Sequence, residues 1–420
     1  MSGGGAGVGQ TKPWLPMDDK TKFKKEKLPL VPLAQNAGQR IQVGIFFDGT
    51  DNNREDDLPF GKETNIAKLY DLYYEDKVGA FKTYIEGVGT GSILESDYAT
   101  GGFSGRGITY RIWRACKYLS DIWPKNSSTQ VELYVFGFSR GAATALSFIN
   151  QLTDWNLFGK AFVNLPSPFP KIKFLGLFDT VGSICVPGTE AFDMHDLTIH
   201  QNRIQYLTHL VSKDEKRVLF PLTSIHSDAS SILPNGWEER IFPGAHSDVG
   251  GGYSGVIVKS NSDPESPESE TAIRMNSQAK SNDLLSRIPG WAMYDAAKKQ
   301  GAPFFAAETH DPALQKERSL QSVIDNLNKG NEGFDGRTSP EDPDHGWTTF
   351  SNPDFSHPQH SFDRLKIHPD LRVFWKARNN PVQFDQLCGT SDWGNTILRQ
   401  YMHDSQGREA IRNIFYKGAI

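Results

Sequence analysis

The amino-acid sequence predicts an α/β protein whose mostly parallel central sheet is flanked by helices. Short apolar runs alternate with amphipathic segments along residues 39–255, which is the order of elements expected of a doubly wound sheet. One apolar run leads into Gly137-Phe138-Ser139-Arg140-Gly141 and then into a helix-like segment. A serine between two glycines at a strand-to-helix turn is the nucleophile elbow of the α/β-hydrolase fold. The sequence therefore predicts that fold.

The individual elements follow from short apolar runs and from apolar residues at helical spacing. Strands are predicted over residues 41–47, 81–85, 130–136, 172–178 and 239–242. Helices are predicted over residues 64–74, 110–123, 142–152, 201–211, 276–287, 288–299, 320–327 and 393–416. Residues 88–107 are rich in glycine, which favours a loop near the site.

Composition divides the chain into three regions. Residues 1–38 are first Gly-rich and then Lys-rich, which predicts a flexible N-terminal leader and no secretory signal peptide. Residues 39–255 carry the alternating pattern and are expected to form the catalytic core. Residues 256–420 combine polar loops with helix-like segments, and we expect a helical and loop-rich elaboration that packs on the core and caps the site.

Charge and cysteine content exclude several classes of protein. The chain has 45 basic and 50 acidic residues, a formal net charge of −5, so it lacks the basic surplus of a nucleic-acid-binding protein. It also lacks the run of about 18 apolar residues that predicts a transmembrane helix. Cys116, Cys185 and Cys388 are far apart, which predicts free thiols and folding in a reducing compartment.

A serine nucleophile requires a base and an acid that orients the base. In α/β-hydrolases these follow in the order serine, acid, histidine, each after a strand. Asp179 directly follows the predicted strand 172–178, and His246 follows the strand that ends at residue 242, in a glycine-dense segment. We therefore expect Ser139, Asp179 and His246 to be the nucleophile, the acid and the base. His403 is the alternative base.

The oxyanion of an acyl-transfer intermediate requires two convergent N–H donors. The backbone N–H of Arg140, directly after the serine, is one candidate. The other is the N–H of Gly49 or Thr50, in the polar turn that follows strand 41–47. This chemistry requires no cofactor and no metal. A cation held by the carboxylates of Asp48, Asp51 and Asp248 is the less favoured alternative.

Four segments together resemble a known family. They are Phe47-Asp48-Gly49-Thr50-Asp51-Asn52, Gly137-Phe138-Ser139-Arg140-Gly141-Ala142, Phe178-Asp179-Thr180-Val181-Gly182 and His246-Ser247-Asp248-Val249-Gly250-Gly251-Gly252-Tyr253. In this order the segments resemble the α/β-hydrolase domains that include the first class of type VI secretion lipase effectors. The resemblance implies a triad at Ser139, Asp179 and His246 and phospholipase A activity on glycerophospholipids.

The resemblance also implies partners and a destination. It implies an antibacterial toxin made in the cytoplasm without a signal peptide, carried by the secretion spike protein into the periplasm of a neighbouring cell. A cognate immunity protein would neutralise it in the producer, and contact with the membrane would be peripheral. Two alternatives stay open: a soluble serine esterase acting on small or polysaccharide esters, and a non-catalytic secretion-system module on a hydrolase scaffold.

Overall fold

The computed structural model describes residues 40–58, 62–90, 105–124, 129–154, 169–182, 196–217, 220–227, 231–253, 283–305, 372–389 and 402. The strands are β1 (Arg40–Phe47), β2 (Ala80–Ile85), β3 (Gln130–Phe138), β4 (Ile172–Phe178), β5 (Ile204–Ser212) and β6 (Trp237–Phe242). The helices are α1 (Arg54–Asp57), α2 (Asn65–Leu72), α3 (Gly105–Ile122), α4 (Arg140–Asp154), α5 (His246–Gly250), α6 (Arg287–Lys299), α7 (Arg372–Ala377) and α8 (Pro381–Gly389).

The six strands form one parallel sheet in the order β2-β1-β3-β4-β5-β6. The strand order reverses at β1, which pairs with both β2 and β3. In open α/β sheets ligands bind at such a reversal, outside the carboxyl ends of the strands. Phe47 is paired with Gly137 and Phe138 with Phe178, so β1, β3 and β4 end side by side. The predicted α/β class and the helix-flanked parallel sheet are confirmed.

The helix predicted over residues 201–211 is wrong, because this segment is strand β5. Its apolar residues Ile204, Leu207 and Val211 fit helical spacing, which explains the prediction. A short apolar run is compatible with a buried strand as well as with a helix. Here the segment occupies the position between β4 and β6, and pairing on both edges outweighs its helical spacing.

The other predicted elements that lie wholly within the described residues are present: the strand predicted over 172–178 is β4 with the same bounds, and the others have shifted boundaries. The helix expected from residue 110 is α3, which already begins at Gly105, and the helix expected over 288–299 is α6. Helices α7 and α8 were not predicted. The leader, the predicted helix 320–327, residues 276–282 of the predicted helix 276–287, and all but residue 402 of the predicted helix 393–416 lie outside the described residues, as does much of the glycine-rich loop. Residues 283–286 form a turn, and α6 begins at Arg287.

The core consists of two layers on opposite faces of the sheet. Ile45 and Phe47 of β1 pack on the face covered by α3 and α4. Phe46, between them, points to the other face, which is covered by α2, α6, α7 and α8. Side chains alternate between faces along a strand, so both faces of the sheet are apolar and buried. Helix α6 thus completes the core although it lies beyond the expected catalytic region.

Two further expectations concern thiols and membranes. Cys116 and Cys388 are free thiols, as predicted, whereas Cys185 lies outside the described residues. Within the part of the chain that the structure describes, no helix has the length and apolar character required to cross a bilayer.

Candidate active site

Ser139 occupies the turn between β3 and α4. Its φ of 57° lies in the left-handed region, which non-glycine residues rarely adopt. The two flanking glycines are required by close packing: a Cβ on Gly137 would lie 2.5 Å from Ala142 Cα, and one on Gly141 would collide with the carbonyl oxygens of Phe47 and Asp48. The elbow therefore fits tightly between the ends of β1 and β3, and the strained serine is held by its neighbours.

Asp179 is the first residue after β4 and lies beside the elbow. Its φ of 39° is also left-handed. The Ser139 N–H donates to Phe178 O at 3.0 Å, and the Asp179 N–H donates to Leu210 O at 2.8 Å. The buried Asp179 carboxylate accepts hydrogen bonds from the N–H and the hydroxyl of Ser212, both at 2.8 Å. These bonds fix the direction in which the carboxylate points.

His246 is the first residue of α5 and contacts the predicted acid, Asp179. Its Nδ1 lies 2.6 Å from Asp179 Oδ2, and its ring lies 4.6 Å, centroid to centroid, from Phe138, the residue before the serine. The ring is buried, with the edge of Phe220 against it at 5.1 Å. Because Nδ1 is engaged by the carboxylate, Nε2 is the nitrogen left to exchange a proton with a hydroxyl. The structure thus pairs His246 with Asp179 at the strand ends beside the turn that carries Ser139.

The segment after β5 contacts the backbone of His246, and the sequence did not predict this contact. Glu215 accepts the His246 backbone N–H at 3.1 Å and also binds the Arg217 guanidinium through both carboxylate oxygens. Burial alone would raise the pKa of Glu215, but the hydrogen bonds from Arg217 outweigh it and lower the pKa to about 2. Glu215 is therefore ionised at any working pH. Recognising β5 as a strand would have placed Ser212 and Glu215 at its carboxyl end, where site residues are expected.

The turn after β1 carries the predicted second oxyanion donor. Here the Gly49 N–H donates to Asp48 Oδ1 at 2.7 Å, so this donor is already engaged. Thr50 contacts the elbow through its hydroxyl, which accepts a hydrogen bond from Arg140 Nη1 at 2.8 Å. Arg140 is the first residue of α4, so its backbone N–H lies at the N-terminus of that helix.

Asp48 is a buried carboxyl group at the edge of the site. Burial raises its pKa to about 7, although hydrogen bonds from Tyr84, Thr64 and the Gly49 N–H oppose the rise. Its oxygens are thus occupied by protein donors. Asp248, another candidate cation ligand, accepts the Ala245 N–H at 2.9 Å and caps α5. Among the described residues, no group of three or more histidine, cysteine or acidic side chains is arranged as a metal site.

A second buried histidine lies beside the acid loop. His209 Nδ1 lies 2.9 Å from Glu239 Oε2, and its Nε2 accepts the Thr180 N–H at 3.2 Å. This pair supports the backbone at Thr180, directly after Asp179. His403, the alternative base, lies outside the described residues.

An α/β sheet with a serine elbow, a carboxylate and a histidine at its carboxyl edge defines the class of α/β-hydrolase-type domains. Within this class the chain belongs to one family. Its sequence matches the catalytic domain of the Tle1-like phospholipase effectors of the type VI secretion system (T6SS) over residues 42–165 and 158–264.

Two solved structures are similar to the chain. One is the Tle1 effector bound to the VgrG spike from the type VI secretion system, with a TM-score of 0.47 and 20% identity, covering 70% of this chain and 79% of that one. The other is an uncharacterized protein from Pseudomonas aeruginosa, with a TM-score of 0.45 and 20% identity, covering 86% of this chain and 52% of that one. No match was found among curated proteins.

Proposed function

We propose that this protein is a serine-dependent phospholipase A that hydrolyses the carboxylic esters of glycerophospholipids. The observation that carries the proposal is the 2.6 Å contact of His246 Nδ1 with Asp179, beside a serine held in the left-handed conformation of a nucleophile elbow. Membership of the Tle1-like phospholipase effector family supports phospholipid as the substrate class. Ser139 is the nucleophile, His246 the general base and Asp179 the acid that orients it.

The proposed reaction proceeds through an acyl-enzyme. His246 Nε2 accepts the Ser139 hydroxyl proton as the Oγ attacks the ester carbonyl, and Asp179 stabilises the imidazolium that forms. The tetrahedral oxyanion accepts hydrogen bonds from the backbone N–H groups of Arg140 and Thr50. We choose Thr50 over Gly49 because the Gly49 N–H is engaged by Asp48. His246 then protonates the departing lysophospholipid alkoxide, and a water molecule hydrolyses the acyl-enzyme by the same steps.

The biological setting belongs to the same proposal. The protein would be delivered by the secretion spike into the periplasm of a target cell, where phospholipid is exposed to a peripherally bound enzyme. A cognate immunity protein would protect the producing cell. Support for this setting comes from the type VI effector family to which the chain belongs.

Active-site labelling tests the nucleophile. A fluorophosphonate probe reacts with a serine that is activated by a general base, because the phosphorus centre resembles the tetrahedral intermediate. We expect stoichiometric labelling of the wild type and no labelling of Ser139→Ala. Asp179→Asn should fold and react at least about 10³-fold more slowly, because the imidazole loses its orienting partner. An unlabelled wild type would favour the non-catalytic module.

A chain-length series of esters tests the substrate class. We expect the rate to rise when long-chain phospholipid is presented in vesicles instead of as monomers. Rates that depend on neither acyl length nor vesicles, in an enzyme that still requires Ser139, would favour the soluble esterase.

A further inference from the structure

Asp48 lies at the centre of a buried hydrogen-bond cluster directly behind the turn that carries Gly49 and Thr50. Its carboxylate accepts the Gly49 N–H at 2.7 Å, the Thr64 hydroxyl at 2.8 Å and the Tyr84 hydroxyl at 2.5 Å. These donors come from three places in the fold: the turn after β1, the N-cap of α2 and the carboxyl end of β2. One side chain therefore joins three elements at the carboxyl edge of the sheet.

The direction of each hydrogen bond in this cluster is fixed. The Thr64 Oγ1 accepts the Ala67 N–H at 3.2 Å as the cap of α2, and the Tyr84 Oη accepts the Arg54 N–H at 2.9 Å. Each hydroxyl thus uses its oxygen for a backbone donor and has its proton left for Asp48. All three groups around Asp48 are donors, and the ionised carboxylate, which only accepts hydrogen bonds, satisfies all three. The cluster is therefore specific for aspartate over asparagine at this position.

The same cluster also contacts the end of α5, the helix that begins at His246. Thr64 forms an antiparallel bridge with Gly251, directly after α5. Next to it, the buried Asn65 donates its side-chain amide to Val249 O at 2.8 Å. Gly251 has a φ of 82°, and a Cβ there would lie 2.7 Å from the Asn65 N. The start of α2 thus fits tightly between the turn after β1 and the end of α5.

From these contacts we propose that Asp48 and Thr64 are positioning residues that hold the Gly49–Thr50 turn and helix α5, which begins at His246, in a fixed mutual arrangement. The inference rests on the proposed function, because that function assigns an oxyanion donor to the turn and the general base to α5. By engaging the Gly49 N–H and anchoring the turn, Asp48 sets the position of the Thr50 N–H that faces the intermediate. Thr64 donates its hydroxyl to Asp48 and bridges to Gly251, and so it connects Asp48 to the backbone after α5.

Steady-state kinetics on a monomeric short-chain phosphatidylcholine test the positioning role. A misplaced oxyanion donor weakens binding of the transition state and leaves binding of the ground state nearly unchanged. We expect Asp48→Asn and Thr64→Val to lower kcat about 10- to 100-fold and to change KM less than about twofold. Thr64→Ser retains the hydroxyl that donates to Asp48 and caps α2, and it should restore kcat to within about twofold of the wild type.

Asp283→Asn is the matched control, because Asp283 is an equally buried carboxylate whose ion-pair partners are Lys68 of α2 and Arg287 of α6. It should lower the melting temperature and leave kcat near the wild-type value. If Asp48→Asn and Thr64→Val reduce kcat no more than Asp283→Asn does at matched stability, or if Thr64→Ser fails to restore it, the positioning role is overturned. Ser139→Ala in the same assay separates the two claims, since its retention of activity would overturn the proposed function itself.

Discussion

Ser139 and Asp179 both adopt left-handed backbone conformations at the ends of neighbouring strands. For a residue with a Cβ this conformation costs on the order of 1 kcal/mol. The cost is met by hydrogen bonds that continue the sheet past its last paired residues, from Ser139 to Phe178 and from Asp179 to Leu210. The backbone at both residues is therefore held in place, and it sets the direction of each Cα–Cβ bond.

The pH dependence of stability tests the buried state of Asp48. Its pKa in the folded protein is raised to about 7 from an ordinary value of 3.8. A raised pKa contributes stability that is fully present below the unfolded pKa and is lost as pH rises through the folded pKa. The wild type should therefore lose stability relative to Asp48→Asn between pH 5 and pH 9, by on the order of 2 kcal/mol.

The measurement is urea denaturation of both proteins across that pH range. Only the difference between the two free energies of unfolding is interpreted, because other groups titrate equally in both. A difference that does not change between pH 5 and pH 9 would show that Asp48 ionises as an exposed carboxyl group does.

Some site residues could be predicted from the sequence and others could not, for a physical reason. Ser139, Asp179 and His246 each follow an apolar strand, so local patterns point to the carboxyl edge where they lie together. Ser212 and Glu215 contribute through hydrogen bonds to residues 31 to 33 positions away along the chain. Such contacts depend on the order of the strands, which one sequence does not specify.

Among the elements, the segment after β5 supports the backbone that joins β6 to α5. Besides Glu215, Asp214 accepts the Gly244 N–H at 2.8 Å, so two carboxylates hold the backbone that leads into His246. This arrangement follows from the parallel pairing of β5 with β6, which ends both strands at the same edge. This contact was not predicted from the sequence, because the β5 segment was predicted to be a helix. A helix there would not place residues 212–217 at the carboxyl edge of the sheet.

Glu215→Gln is expected to weaken that support. The pKa of Glu215 is lowered to about 2, so its contribution to stability is present above the unfolded pKa of 4.5 and is lost as pH falls toward 2. At pH 7 the substitution should cost about 2 kcal/mol, because a mostly buried carboxylate loses its ion pair with Arg217. We also expect kcat to fall about tenfold, since His246 is positioned through its backbone.

Thermal unfolding and steady-state kinetics at pH 7 measure the two effects of Glu215→Gln. Asp121→Asn is the control, because Asp121 forms an exposed i,i+4 ion pair with Lys117, worth less than about 0.5 kcal/mol. A Glu215→Gln protein with both the stability and the kcat of this control would contradict the supporting role.

At the scale of the whole molecule, the region after residue 255 supplies part of the core. Ile288 and Met293 of α6, together with Phe374 and Phe384 of α7 and α8, are buried in the layer that covers Phe46 and the other aromatic residues of that face. A Cβ on Gly176 of β4 would lie 2.6 Å from the Met293 sulfur, so the helix packs directly on the strand. The sequence pattern changes at residue 255, but residues on both sides of this position pack in the same core layer.

Truncation tests this dependence. A chain of residues 1–255 would expose the part of one sheet face that α6, α7 and α8 cover, and each large apolar side chain left in water costs about 1.5–3 kcal/mol. The sum exceeds the stability of an ordinary domain, about 5–15 kcal/mol. We expect this chain to lack cooperative unfolding, whereas removal of residues 1–38 should leave the melting temperature within about 2 °C of the full chain. A cooperatively folded 1–255 chain would contradict the packing described.

We propose that Ser139 is the nucleophile of a phospholipase A. Mass spectrometry of the products from vesicles of a phospholipid with different acyl chains at its two positions tests this most directly. We expect the wild type to release free fatty acid and lysophospholipid in equal amounts, and Ser139→Ala to release neither above the rate without enzyme. Intact phospholipid after incubation with the wild type, or equal release by Ser139→Ala, would contradict it.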